Sequence, residues 1–163
     1  MTPVDKVFTR IGASDNILEG KSTFYIEMEE TKAILEQATR NSLVVMDELG
    51  RGTSTFDGQA IADAVLEHLV KVKQCRTLFS THYHNLQEKY ARDRRVEICR
   101  MAYLIPEGSD KLIYLYKLEK GKCSSSFGLN IARIAGLPRT VLRKAKEMKE
   151  EFDMKTVQKI NMV

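Results

Sequence analysis

No apolar run in this chain is long enough to cross a membrane, and its first residues lack the apolar core of a secretory signal. Cysteine is scarce: Cys75, Cys99 and Cys123 are odd in number and far apart, which argues against both a zinc site and a disulfide framework. They read as reduced thiols, as expected of a cytosolic or nuclear protein. Charge of one sign is not in excess either. The 26 basic and 22 acidic residues are interspersed and leave a net charge of +4, too mild to argue by itself for a nucleic-acid surface. There is no internal repeat and no low-complexity tract. What remains is a chain of 163 residues, enough for one domain with a real core.

The rest of the chain is organised around Leu43 to Gly58, LVVMDELGRGTSTFDG. Leu43, Val44, Val45 and Met46 form an unbroken apolar run, the pattern of a parallel strand buried on both faces. Asp47 and Glu48 follow where such a strand leaves the sheet, and ligands of open α/β sheets bind outside that edge. In a nucleotide-hydrolysing domain the first acid can hold Mg2+ and the second can polarise an attacking water. Taken alone, the same residues fit a core strand that ends in two solvated carboxylates. The neighbours decide between the two.

Val4 to Gly12 alternates as a strand does, and the chain begins almost on this element, which reads as a partial chain. A turn-rich segment, Ala13 to Gly20, precedes a helix for which Ser22 is the expected N-cap. Phe24, Met28, Thr31, Leu35 and Ala38 recur on one face of that helix, with Glu27, Glu29, Glu30, Lys32 and Glu36 mostly off it. A helix start after a glycine loop is a ready anion site, although a serine that only caps its own helix fits the residues as well. GKST resembles the end of a P-loop, but the first glycine of that motif falls on Asp15 and no apolar strand precedes it. It is not a P-loop, and no other segment matches one.

After the central stretch Asp57 is expected to cap a helix carrying Ile61, Val65, Leu69 and Val72 on one face, with Ala62 and Leu66 beside them. A second buried strand, Thr77 to Ser80, then ends in Thr81, His82, Tyr83 and His84. Strand, helix, strand is a βαβ unit, so the end of the second strand lies on the same sheet edge as Asp47 and Glu48. That placement makes His82 a candidate for contacting a phosphate, since imidazole can both donate and accept. His84 has no such argument and reads as structural.

Asn85 to Val96 reads as a short exposed helix and loop, with Arg92, Arg94 and Arg95 interleaved with Glu88 and Asp93 as a salt-paired face. Cys99 to Ile105 and Leu112 to Leu118 are joined by a loop of hairpin composition and are expected to extend the sheet as an antiparallel pair. After the Gly121 to Gly128 loop come two helices, Phe127 to Ala135 and a second that starts near Pro138, with Gly136 at the C-terminal cap between them. This hairpin fits DNA-binding helix-turn-helix or an interface; its wide apolar stripe and interleaved Glu147, Glu150 and Glu151 favour the interface. Pattern is lost after Phe152, so a frayed tail is expected.

Together, VDKVFTRIGASDNILEGKSTFYIEM, SLVVMDELGRGTSTFDGQAIADAVLEHL, CRTLFSTHYHNL and KGKCSSSFGLNIARIAGLPRTVL resemble the C-terminal ATPase domain of MutS-type DNA mismatch-repair proteins. The pieces keep the family's order from about Val4 to Phe152. CRTLFSTHYHNL and the YKLEKGKCSSSFG region look most like the branch of the eukaryotic sixth MutS homologue.

The resemblance implies an α/β, three-layer ABC-type P-loop ATPase fold, present in part: a mostly parallel sheet with an antiparallel hairpin, followed by a helical hairpin. Residues 1–122 would be the partial ATPase domain, 123–153 the dimerisation element and 154–163 the tail. It also implies ATP and Mg2+ as ligands, a second MutS-family subunit as partner, mismatched double-stranded DNA bound through other domains, and a nuclear location.

Position by position, Asp47 matches the Mg2+-binding acid of the Walker B pair and Glu48 the acid that activates water. His82 matches the switch histidine near the terminal phosphate, and Gly50 to Asp57 the loop that couples two ATP sites across the dimer. Ser22 and Thr23 match the signature that reaches the partner's γ-phosphate. The family's Walker A loop would fall just before Val4, so this stretch taken alone is expected neither to hydrolyse ATP usefully nor to read mismatches. A different class, a non-enzymatic dimerisation fragment, also fits. Other ABC-type ATPases would carry an LSGGQ-like signature, and GKSTFYIEM stands in its place.

Overall fold

The computed structural model describes residues 3–12, 22–106, 111–123 and 127–160, with side chains as far as Phe152. The turn-rich segment 13–21, most of the expected hairpin loop (107–110) and part of the following loop (124–126) lie outside the described residues. The chain divides into two units, Met1–Glu97 and Ile98–Val163.

The first unit begins with strand β1, Val7–Arg10, followed by helix α1, Thr23–Gln37, and strand β2, Leu43–Asp47. Helix α2, Thr55–His68, strand β3, Arg76–Ser80, and helix α3, His84–Tyr90, complete it. The strands are parallel in the order β1-β2-β3, with Val7 beside Leu43 and Leu43 beside Arg76. This is the expected βαβ arrangement, repeated once. Because the order advances in one direction, right-handed crossovers put α1 and α2 on the same face.

Under them lies the core. Val44 and Met46 of β2, Ile34 and Ala38 at the end of α1, Leu49, and Val65 and Leu69 from α2 and its extension pack together, with Phe8, Met28, Ile61 and Phe79 against them. The opposite sheet face carries Val7 and Leu78, each 59% exposed. Among the described residues of this unit, then, two of the three expected layers are present. The apolar run of β2 reflects a strand built for cover on both sides.

Local chemistry sets the helix limits, and some of it differs from the sequence expectation. Ser22 caps α1 as expected, accepting from the Tyr25 amide at 3.2 Å. Helix α2 is capped by Ser54, not Asp57: Ser54 Oγ accepts from the Asp57 amide at 3.2 Å and donates to Asp57 Oδ2 at 2.8 Å. Asp57 sits in the first turn, where its charge suits the helix dipole. The helix ends in a π-helical turn, Leu69–Lys73, closed by Gln74 in the left-handed region (φ 52°). The wider turn breaks the 3.6-residue repeat, so Val72 is exposed although it falls on the apolar stripe. Helix α3 is less exposed than expected, with Leu86 and Tyr90 buried.

The second unit holds strands β4, Cys99–Leu104, and β5, Ile113–Lys120, paired antiparallel with a register shift between Met101 and Tyr103. The pair is a separate two-stranded sheet, not an extension of the parallel one. Its composition specified a hairpin but carried no signal for which edge it would join. Helices α4, Gly128–Ile134, and α5, Arg139–Ile160, form the expected helical hairpin. Gly136 (φ 85°) donates to Arg133 O at 3.0 Å and Leu137 to Ala132 O at 3.1 Å, a Schellman cap that needs a left-handed residue. Helix α5 runs to Ile160, beyond the end expected near Phe152.

Candidate functional site

Asp47 is the last residue of β2, and in the parallel register it stands beside Ser80, the last of β3. Ser80 Oγ donates to Asp47 Oδ1, and the Glu48 amide donates to Ser80 O at 3.1 Å. The two strand ends are thus bolted together at the edge where both acids emerge. His82 follows two residues later on the same edge, exposed, with its ring 4.2 Å from that of Tyr83.

Glu48 is one of the few residues other than glycine in the left-handed region, at φ 50°. That conformation costs about 1–2 kcal/mol and is retained only where the surroundings impose it. Here it turns the chain sharply out of the strand, and the Arg51 amide closes the turn onto Glu48 O at 3.3 Å. The Glu48 carboxylate accepts from Arg51 Nη1 in an ion pair open to solvent.

What holds this turn is a buried cluster that the sequence did not advertise. Glu27, expected off the buried face of α1, is only 4% exposed, and its Oε1 accepts from the Gly50 amide at 3.1 Å. Arg10, at the end of β1 and 5% exposed, pairs with Glu27 at 3.5 Å and Glu30 at 3.0 Å. The buried stripe of α1 is Glu27, Thr31, Ile34 and Ala38. It is shifted from the expected one because a carboxylate with an ionic and an amide partner can be buried where a bare one cannot.

From the other side, Tyr83 Oη donates to Gly50 O at 3.0 Å. Burial, and then the charge of Glu27, push the Tyr83 phenol above its ordinary pKa, so the hydroxyl remains a donor. Gly50 itself is at φ 89°, and a Cβ there would sit 2.4 Å from Gly58 O. The loop from Glu48 to Gly58 is therefore folded back on itself with glycine on both sides of the contact. Phe24, in the first turn of α1, lies so close to Gly52 that a Cβ there would be 3.2 Å from Phe24 Cβ. Ser22 and Thr23, at the start of α1, are thereby carried to the flank of the acid-bearing loop. Phe56, at the start of α2, is 86% exposed.

Among the described residues no group of three or more His, Cys, Asp or Glu is placed to form a metal cage. The oxygen-only pair of Asp47 and Ser80 fits Mg2+ nonetheless, because that ion keeps its waters and takes one or two carboxylates together with phosphate oxygens. No described helix is long and apolar enough to cross a membrane.

Arg95 and Asp93 pair as expected of the basic cluster, with Arg95 Nη2 2.7 Å from Asp93 Oδ2. That contact lowers the Asp93 pKa to about 2 and leaves Arg95 engaged. His84, expected to be structural, lies with Nδ1 3.3 Å from Gln87 Nε2 in the first turn of α3.

Comparison with known proteins matches residues 1–153 to MutS domain V. The chain is 51% identical over 94% of its length to the DNA mismatch repair protein MSH6 of Arabidopsis thaliana. It is 49% identical to Homo sapiens Msh6 over 94% of the chain, and 52% identical to the MutS protein of Anaeromyxobacter sp. strain K over 92%. It spans 12% of the length of those MSH6 proteins and 17% of that MutS protein. With a domain model over nearly its whole length and relatives at about half identity, this chain belongs to the MutS family, as an MSH6-like MutS domain V.

Proposed function

We propose that this chain is the ATPase module of a DNA mismatch-repair protein, in which ATP binding and hydrolysis at a dimer interface control mismatched-DNA binding and repair signalling. The observation that supports the reading is the bolted edge: Ser80 bonds to Asp47 and to the Glu48 amide, two residues before His82 in the chain. The relatives' names, all DNA mismatch repair proteins, support the biological setting.

In this reading Asp47 would hold Mg2+, and Glu48 accepts the proton of the attacking water. His82 hydrogen-bonds the terminal phosphate. Ser22 and Thr23 offer the amide-rich start of α1 to the nucleotide of a second MutS-family subunit. Mg2+, when bound, would supply positive charge that offsets the charge of the nucleotide. The exposed apolar residues of the helical hairpin, among them Ile134, Val141, Met148 and Phe152, suit packing on that subunit, and the whole assembly acts in the nucleus. The same exposed stripe supports a second reading, a non-enzymatic dimerisation fragment.

The test of the site is Asp47→Asn in the whole protein paired with its partner subunit. The Mg2+ concentration for half-maximal hydrolysis is expected to rise about tenfold or more, the loss of one charged ligand being worth over 1 kcal/mol. An unchanged Mg2+ dependence removes Asp47 from the site. No stretch of the 163 residues matches the lysine-bearing P-loop motif, so no ATP binding in the micromolar range is expected by calorimetry of this polypeptide tested by itself. Micromolar affinity of the folded polypeptide would overturn that expectation.

A further inference from the structure

The Gly50 peptide is held from both sides by residues of two other segments. Its amide donates to Glu27 Oε1 of α1 at 3.1 Å, and its carbonyl accepts from Tyr83 Oη, just beyond β3, at 3.0 Å. All three groups are buried. Gly50 is two residues from Glu48, and Tyr83 is the residue after His82, whose ring it contacts. Glu27 lies little more than one helical turn from Thr23. One peptide thus joins the helix start, the acid-bearing turn and the histidine-bearing strand end.

We infer that the Gly50 peptide is the coupling point of the site, with Glu27 and Tyr83 as positioning residues that set where Glu48 and His82 stand relative to the start of α1. This rests on the proposed ATPase reading and adds a route for regulation within it. A shift of α1 at Ser22 and Thr23 draws on Glu27, Glu27 draws on the Gly50 amide, and the turn at Glu48 moves with it. The Gly50 carbonyl transmits the same displacement to Tyr83 and its neighbour His82. The link is stiff for three reasons. Arg10 fixes the Glu27 carboxylate from behind. Thr31 Oγ1 ties to Glu27 O at 2.8 Å. Gly58 closes against Gly50 with no room for a Cβ on either residue. A water-activating acid displaced by an ångström can lose about a hundredfold in rate, so a clamp two residues away has leverage on catalysis without touching substrate.

Glu27→Ala also removes one of the two ion-pair partners of the buried Arg10, so Tyr83→Phe is the cleaner probe: it deletes one oxygen and keeps the ring beside His82. In the whole protein with its partner subunit, Tyr83→Phe is expected to lower kcat for ATP about tenfold, with KM for ATP within about twofold and the folded fraction at assay temperature unchanged. Glu27→Gln, which keeps an oxygen for the Gly50 amide, is expected to retain more of kcat than Glu27→Ala. Unchanged kcat in Tyr83→Phe, or a fall matched by loss of folded protein, overturns the positioning role where Glu48→Gln in the same assay abolishes turnover. If Glu48→Gln leaves turnover intact, the ATPase reading fails instead, and the two failures are told apart.

Discussion

Glu48→Gln, in the whole protein assembled with its partner, is expected to lower ATP turnover by about 10²–10⁴-fold while ATP binding persists, the usual weight of a general base. The substitution is isosteric, and the native left-handed turn at φ 50° is imposed by its neighbours, not by the carboxylate. The amide that donates to Ser80 O and the carbonyl that accepts from the Arg51 amide are backbone groups and survive. Only the ion pair to Arg51 is lost, and Arg51 is 75% exposed, so the stability cost is about 0–1 kcal/mol. Turnover and thermal stability should therefore separate cleanly in this variant. Equilibrium ATP binding and steady-state phosphate release, measured on one preparation, decide the matter. Phosphate release at the parental rate would leave the dimerisation reading standing and the hydrolytic one without its base.

Much of this site was legible because its signals are local. A four-residue apolar run ending in two acids, a serine before a helical stripe and a second apolar run ending in a histidine each act within a few residues. The parallel crossover rule then places Asp47, Glu48 and His82 on one edge without further information. Capping proved harder. Asp57 and Ser54 are both good N-caps three residues apart, and the serine takes the cap because its hydroxyl accepts from the Asp57 amide and donates to the Asp57 carboxylate.

Glu27 was not legible at all, because its burial depends on Arg10, 17 positions earlier, and on a glycine amide 23 positions later. The spacing Glu27, Thr31, Ile34, Ala38 is helical and could have been read as a face, but a charged residue on a buried face looks wrong until its partners are known. The hairpin of β4 and β5 failed in the same way. Strand pairing within it is set by the sequence between the strands, whereas its attachment to another sheet is not. At the candidate site, non-local contacts of a few polar atoms, not the apolar pattern, carry what sequence reading missed.

Those contacts also set the largest structural effect expected. Gly58→Ala in α2 puts a Cβ 2.1 Å from Gly50 O and 2.5 Å from Tyr83 Oη. A flexible side chain could swing aside, but the Gly50 peptide is pinned by Glu27 on one side and Tyr83 on the other, and α2 is held by the core under Val65 and Leu69. Relief therefore requires breaking the clamp or lifting the start of the helix. Overpacking against fixed backbone costs about 1–3 kcal/mol, and a lost buried hydrogen bond adds about 1–3 kcal/mol. For a unit of this size the melting temperature should fall by on the order of 10 °C or more. Gly128→Ala at the start of α4 is the control: a Cβ there meets nothing within 4 Å, so its melting temperature should match or slightly exceed the parent's. Thermal unfolding followed by circular dichroism compares the two. Near-parental stability for Gly58→Ala would mean that the loop from Glu48 to Gly58 yields easily, and a loop that yields could not serve as the rigid link between α1 and Glu48.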